Sequence, residues 1–284
     1  MTAPAPKLNG AKIPATVITG FLGAGKTTLV RHVLENAGGR RIAIIVNEFG
    51  SLGIDGDLLK SCGIAGCSDD DIVELSNGCI CCTVADDFLP TMQALLDRDD
   101  PPEHVLIETS GLALPKPLIK AFDWPTIRSR MTVDGVIAVV DGPAVSTGRF
   151  ADDPEAIARQ RAEDPSVDHD NQITEVYEDQ LNAADLIIVN KADLIDESGL
   201  EALKTAIGGT VSRAVKVVST REGRIDPAVL LGIGAAAADH LPPRPFLPDG
   251  PDVPLHSYSQ LFFSELVLMP FPSHMHASTQ FSPL

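Results

Sequence analysis

Four groups of residues in this chain have the types and spacing to do chemistry. The first is Gly20-Phe21-Leu22-Gly23-Ala24-Gly25-Lys26-Thr27, which fits GxxxxGK[ST]. Glycines in this pattern let backbone N–H groups turn inward around a phosphate, and a helix that follows adds the positive end of its dipole. Lys26 would bridge β- and γ-phosphates, and Thr27 would give its hydroxyl to Mg2+. Gly23, Ala24, Gly25, Lys26, Thr27 and Thr28 are expected to hold the nucleotide, with Lys26 also a catalytic group.

The second group is Asn190-Lys191-Ala192-Asp193, which fits the guanine-reading pattern NKxD. Guanine presents an N1–H and an exocyclic amine, two donors side by side, and Asp193 is the two-oxygen acceptor that matches them. Adenine has no such donor pair, so the expected ligand is GTP. Ser219-Thr220-Arg221 could pack on the base edge. The third group, Glu108-Thr109-Ser110-Gly111, stands where small GTPases carry DxxG. Glu108 would hold Mg2+ through water or position the attacking water, and the Gly111 N–H can meet the γ-phosphate.

The fourth group is Cys79-Ile80-Cys81-Cys82, after the turn dipeptide Asn77-Gly78 and before Asp86-Asp87. Thiolates this close can converge on one soft or borderline cation, and two or three sulfurs leave a coordination position open. That suits transfer of a metal better than permanent storage in a closed site. No second CxxC is present to complete a zinc ribbon. Cys62 and Cys67 could supply further ligands, although in a Gly-rich loop they read first as ordinary thiols. His169 between Asp168 and Asp170, and His274 with His276, could each touch metal but read first as solvated polar loops, and the run Asp69-Asp70-Asp71 reads as a solvated turn.

The elements that must position these groups are legible as short apolar runs. Strands are expected at Pro14–Gly20, Arg41–Asn47, His104–Thr109, Val133–Asp141, Asp185–Asn190 and Val215–Ser219. The runs are nearly continuous rather than alternating, as in strands buried on both faces of a parallel sheet. Helices are expected from Lys26 to about Asn36, over Phe88–Asp97 and over Ile173–Ala184. The acidic stretch from Gly148 to Asp170 reads as a long loop or insertion with a helix. The expected fold is α/β, a doubly wound, mainly parallel sheet of the P-loop NTPase kind. The expected organisation is a flexible N-terminus over 1–12, a GTPase domain over 13–238, a Pro-rich linker over 239–255 and a short atypical tail over 256–284.

Composition narrows the partners. The 284 residues include 44% hydrophobic ones, enough for a real core, and 22 basic against 39 acidic side chains, a formal net charge of −17. Such a surface repels nucleic acid and anionic lipid, so neither is an expected partner. Residues 1–12 lack the apolar region of a signal peptide, and the longest apolar run, Val229–Ala238, is about half the roughly 20 residues a membrane helix needs. The five cysteines are odd in number and confined to one third of the chain, which points to metal or redox chemistry in a reducing, cytoplasmic setting.

Taken together, GFLGAGKTTL, VNEFG at Val46–Gly50, ELSNGCICCTVADDF at Glu74–Phe88, ETSGLALP at Glu108–Pro115 and NKADL resemble the CobW-type metallochaperone GTPases, over about Ile13–Ala238. Cys79–Cys82 followed by VADDF, with CGIAGC upstream, is most similar to the branch linked to cobalt supply for cobalamin synthesis. The resemblance implies a SIMIBI-class P-loop fold, low intrinsic GTPase activity, and a divalent metal on Cys79, Cys81 and Cys82 when Mg–GTP is bound. It also implies that Glu48 and Asp55 lie in the switch region, where they sense the γ-phosphate and order Mg2+, Glu48 with a catalytic part. Implied ligands are therefore GTP, Mg2+ and either Co2+ or Zn2+. The implied partner is a metal-receiving client, with a cobalt chelatase the favoured one, and the chain would be a monomer or a nucleotide-dependent dimer. Relatives carry a further α+β domain after a His-rich linker; here that domain is expected to be truncated or missing.

Three other functions fit the same residues. Thiolate sites prefer Zn2+ to Co2+ intrinsically, so a zinc chaperone is the alternative within the family. A regulatory GTPase with a structural zinc would keep its metal in every nucleotide state. A storage or insertase protein would show no GTP turnover with metal present.

Overall fold

The computed structural model describes residues 12–46, 72–74, 88–163 and 172–233. Its centre is a sheet of seven strands: β1 (Ile13–Thr19), β2 (Ile42–Val46), β3 (Ile72–Glu74), β4 (His104–Glu108), β5 (Met131–Asp141), β6 (Leu186–Asn190) and β7 (Lys216–Ser219). Their order is β3-β2-β4-β1-β5-β6-β7, and every neighbouring pair is parallel. Six of them fall on the apolar runs expected from the sequence. β3 is the additional one, a three-residue edge strand beside β2.

In β1, β2, β4, β5 and β6 alternate residues enter different cores, which is why these strands are mostly apolar. In β6, Leu186 and Ile188 join Leu29, Val30 and Val33 of helix α1 (Lys26–Glu35), while Ile187 and Val189 face the other side of the sheet. In β1, Ala15 and Val17 pack with Phe88, Met92 and Leu95 in and beside helix α2 (Leu89–Leu96). The helices α3 (Pro115–Ala121) and α4 (Pro125–Arg128) complete that cluster through Leu118, Ile119 and Ile127. Further along the same side, α6 (Pro154–Glu163), α7 (Ile173–Ala183) and α8 (Glu197–Thr210) cover β5 and β6; a short helix, α5 (Gly142–Ser146), follows β5 directly. The helix expected inside the 148–170 segment is α6.

The chain leaves β1, moves outward to β2 and β3, returns to place β4 beside β1, and then builds β5, β6 and β7 on the other side. Strand order therefore reverses at β1, and a crevice opens at the carboxyl ends where ligands bind in open parallel sheets. Each sequence motif with a described position lies at that edge: Gly20 after β1, Glu108 at the end of β4, Asn190 at the end of β6 and Ser219 at the end of β7.

The opposite end of the sheet is closed by a buried polar knot. Thr16 Oγ1 lies 2.8 Å from His104 Nε2 and donates to the Leu230 carbonyl at 3.2 Å, at the end of α9 (Pro227–Leu230). The hydroxyl has one proton, so its contact with His104 uses an Nε2–H donor. Asp134, at the register shift between β1 and β5, accepts from the Ile233 N–H at 3.0 Å. Burial is the main reason that the His104 pKa falls from 6.5 to about 4; Asp134 opposes the shift and Arg40 adds to it.

Candidate nucleotide site

The loop between β1 and α1 has the backbone of a phosphate cradle. Gly20, Gly23 and Gly25 all adopt positive φ, at 136°, 76° and 96°. At Gly20 the φ is only half the constraint, since a Cβ there would sit 2.1 Å from the Val139 carbonyl oxygen. A side chain at Gly25 would lie 2.3 Å from Asn190 Nδ2. Gly25 is also the N-cap of α1, where no side chain caps the helix, so the first-turn N–H groups face the loop as anion donors.

Lys26 is buried, 7% exposed, and its Nζ donates to the Phe21 carbonyl at 3.3 Å. Thr27 Oγ1 donates to Glu108 Oε1 at 2.8 Å, joining the first turn of α1 to the end of β4. A hydroxyl and a carboxylate side by side form a hard-oxygen donor set of the kind Mg2+ takes. Thr27 and Glu108 are therefore the described residues that fit Mg2+. Two residues on, Ser110 Oγ is buried without a hydrogen-bond partner among the described residues, and Gly111 approaches the P-loop so closely that a Cβ would fall 2.7 Å from Leu22 N. The cradle and the loop after β4 are thus in contact.

The base-side residues are held as tightly. Asn190 is 3% exposed; its Nδ2 donates to the Ala24 carbonyl at 2.9 Å, and its Oδ1 accepts from the Gly223 N–H at 3.1 Å. One amide thus fastens the phosphate loop to the loop after β7. Lys191 is left-handed, φ 56°, and Nζ donates to Asp141 Oδ2 at 2.6 Å. Asp193 lies exposed on the short 3-10 helix Ala192–Leu194. Thr220 extends the β7 pairing, donating its N–H to the Val189 carbonyl and accepting from Ala192 N–H. This sets Ser219-Thr220-Arg221 beside the NKxD segment, with Thr220 buried and Arg221 exposed.

Gly23, Ala24, Gly25, Lys26, Thr27, Thr28, Glu108, Gly111, Asn190, Lys191 and Asp193 all gather along one edge of the sheet. Cys79, Cys81, Cys82, Cys62, Cys67, Glu48 and Asp55 lie outside the described residues, as do His169, His274 and His276. Among the described residues no group of three or more His, Cys, Asp or Glu could hold a metal ion, and no helix is long and apolar enough to cross a membrane.

Two further side chains matter that motif reading does not pick out. Gln180 on α7, 1% exposed, donates from Nε2 to the carbonyls of both Gly111 and Ala113 at 3.1 Å, bracing the loop after β4. Asp141 ends β5 and holds Lys191. The one available signal for Asp141 is its place: it closes an apolar parallel strand, at the edge where the other strand ends carry the motifs. Gln180 has no such signal, because a glutamine on a helix of mixed polarity reads as surface.

Residues 14–218 match the model of the CobW/HypB/UreG nucleotide-binding domain. The chain is 57% identical over 238 residues to a protein named zinc chaperone CobW from a Sinorhizobium species, covering 84% of this chain and 67% of that one. It is 54% identical over 239 residues to a protein of the same name from Pseudomonas aeruginosa, covering 83% and 64%. The chain thus spans about two thirds of the length of these curated relatives. Among solved structures, the Zn(II)-bound YjiA GTPase from Escherichia coli superposes with a TM-score of 0.52 at 27% identity, covering 79% of this chain and 62% of that one. With the phosphate cradle, the Thr27–Glu108 pair and the base-side clamp converging at one sheet edge, and a family match over most of its length, the chain belongs to the CobW/HypB/UreG nucleotide-binding domain family.

Proposed function

We propose that this chain is a metallochaperone GTPase, which hydrolyses GTP to GDP and phosphate and uses the cycle to hold and release a divalent metal cargo. The observation that carries the GTPase half is the join of Thr27 to Glu108 at 2.8 Å beside a P-loop that Asn190 ties to the base-side segment. Lys26 meets the β- and γ-phosphates, Gly111 N–H the γ-phosphate, and Asp193 the two donors of guanine. Mg2+, when bound, would supply charge neutralisation for the phosphates. Thr27 would hold it with Glu108, and Glu48 and Asp55 would join from the segment that the family resemblance reads as the switch region.

The cargo is held by Cys79, Cys81 and Cys82. β2 and β3 are parallel to β1 and end at the phosphate-loop edge, at Val46 and Glu74; in the sequence Glu48 follows the first and the cysteines follow the second. A γ-phosphate at that edge can therefore order both segments together. Zinc has the stronger support, from the names of the relatives and from the intrinsic preference of thiolates. Cobalt, with a cobalt chelatase as client, rests on the sequence resemblance alone.

The test is substitution within the cysteine group. Cys81→Ala or Cys82→Ala is expected to abolish tight Zn2+ binding, measured against a competing chelator, while GTP affinity measured without metal stays within about threefold. A variant that keeps wild-type Zn2+ affinity would overturn the cargo site.

A further inference from the structure

We propose that Asp141 is the positioning residue of the guanine-reading segment, acting through Lys191 to set how strongly the site prefers guanine to a base without the exocyclic amine. The inference rests on the assignment of Asn190, Lys191 and Asp193 to the base.

Asp141 is 1% exposed, and its two oxygens have separate partners. Oδ1 accepts from the Ala144 N–H at 3.1 Å and caps α5; Oδ2 accepts from Lys191 Nζ at 2.6 Å. A neutral serine or asparagine caps a helix as well as an aspartate does. A buried carboxylate is costly to desolvate, so the charge at this position is accounted for by Lys191 and not by the cap.

What the ion pair fixes is a backbone. Lys191 is left-handed, φ 56° and ψ 33°, a conformation that L-residues other than glycine rarely adopt. It is the N-cap of the short 3-10 helix that carries Asp193, so the direction of that turn decides where the Asp193 carboxylate points. The residue before it is already fastened by the Asn190 amide to Ala24 and Gly223. Register supports the same geometry, since Asp141 and Asn190 are direct partners across β5 and β6. Asn190 thus fixes the start of the turn and Asp141 its pivot, and Asp193 inherits both.

Asp193 accepts from guanine N1–H and from the exocyclic amine; hypoxanthine keeps the first donor and lacks the second. The GDP-to-IDP affinity ratio therefore reads the placement of Asp193. Asp141→Asn retains an oxygen for Ala144 N–H and turns an NH2 toward the Lys191 ammonium, so it removes the ion pair and spares the cap. Binding of GDP and IDP is measured by calorimetry for the wild type, Asp141→Asn, Lys191→Gly and Asp193→Asn. Lys191→Gly tolerates the left-handed turn and serves if Asp141→Asn does not fold. The wild type is expected to prefer GDP by about tenfold or more, and both Asp141→Asn and Lys191→Gly to lose most of that preference. Combining the two is expected to lose little beyond either alone.

A purely structural role for Asp141 would weaken GDP and IDP equally. A wild-type ratio retained in Asp141→Asn, or in Lys191→Gly, therefore overturns the proposal. A wild type with no GDP preference, or one that Asp193→Asn leaves intact, overturns the base assignment itself, a different failure with a different signature.

Discussion

At the scale of single residues, the site is built on close approaches that permit no side chain. Gly25 and Gly23 both adopt positive φ, yet their surroundings differ: a Cβ on Gly25 would lie 2.3 Å from Asn190 Nδ2, and one on Gly23 would meet nothing within 4 Å. Gly25→Ala therefore adds displacement of the Asn190 clamp to the left-handed strain. It is expected to cost about 3 kcal/mol of stability, against about 1 kcal/mol for Gly23→Ala, measured by chemical denaturation. GDP affinity is expected to fall further for Gly25→Ala, because Asn190 also carries the loop containing Gly223. Equal losses in the two variants would mean that the clamp contributes nothing.

At the scale of elements, stability should depend on pH through the knot at the far end of the sheet. His104 has a folded pKa of about 4 against 6.5 unfolded, so between these values the unfolded chain binds the extra proton. Its contribution is fully present above about pH 6.5 and is lost progressively as pH falls toward 4, for a total of about 3 kcal/mol. Denaturant titrations from pH 7.5 to pH 4 should show this decline, and His104→Gln, which does not titrate, should flatten it. A decline of equal size in the variant would assign it to other groups. Strands such as Ile42–Val46 and Leu186–Asn190 were readable from the sequence because they are buried on both faces and carry no polar residue before their last position. β3 was not, since three residues, Ile72-Val73-Glu74, are too few to show a period and follow an acidic run. The loop before α1 was readable because its chemistry demands glycine at fixed spacing. Gln180 and Asp141 were hidden because each acts through a contact of long sequence separation, 69 residues to Gly111 and 50 to Lys191.

At the scale of the whole molecule, an acidic chain of net charge −17 would need local devices to bind an anionic nucleotide, and the uncapped N-terminus of α1 and the buried Lys26 fit that need. Those devices and the base-side clamp are joined by Asn190, so phosphate and base contacts share one frame. The metal half of the proposal depends on a second coupling, between that frame and the cysteines that follow Glu74, the last residue of β3, in the sequence. Linkage makes such a coupling reciprocal: if GTP tightens the metal, the metal tightens GTP by the same factor. The most direct measurement is titration of Co2+, as a spectroscopic probe, into the reduced protein with Mg–GTP and in parallel with Mg–GDP, followed by Zn2+ competition. Intense thiolate-to-cobalt absorption with GTP, weak absorption with GDP, and displacement by Zn2+ are the expected results. Identical absorption in the two nucleotide states would contradict nucleotide-gated cargo holding and leave a GTPase with a static metal site.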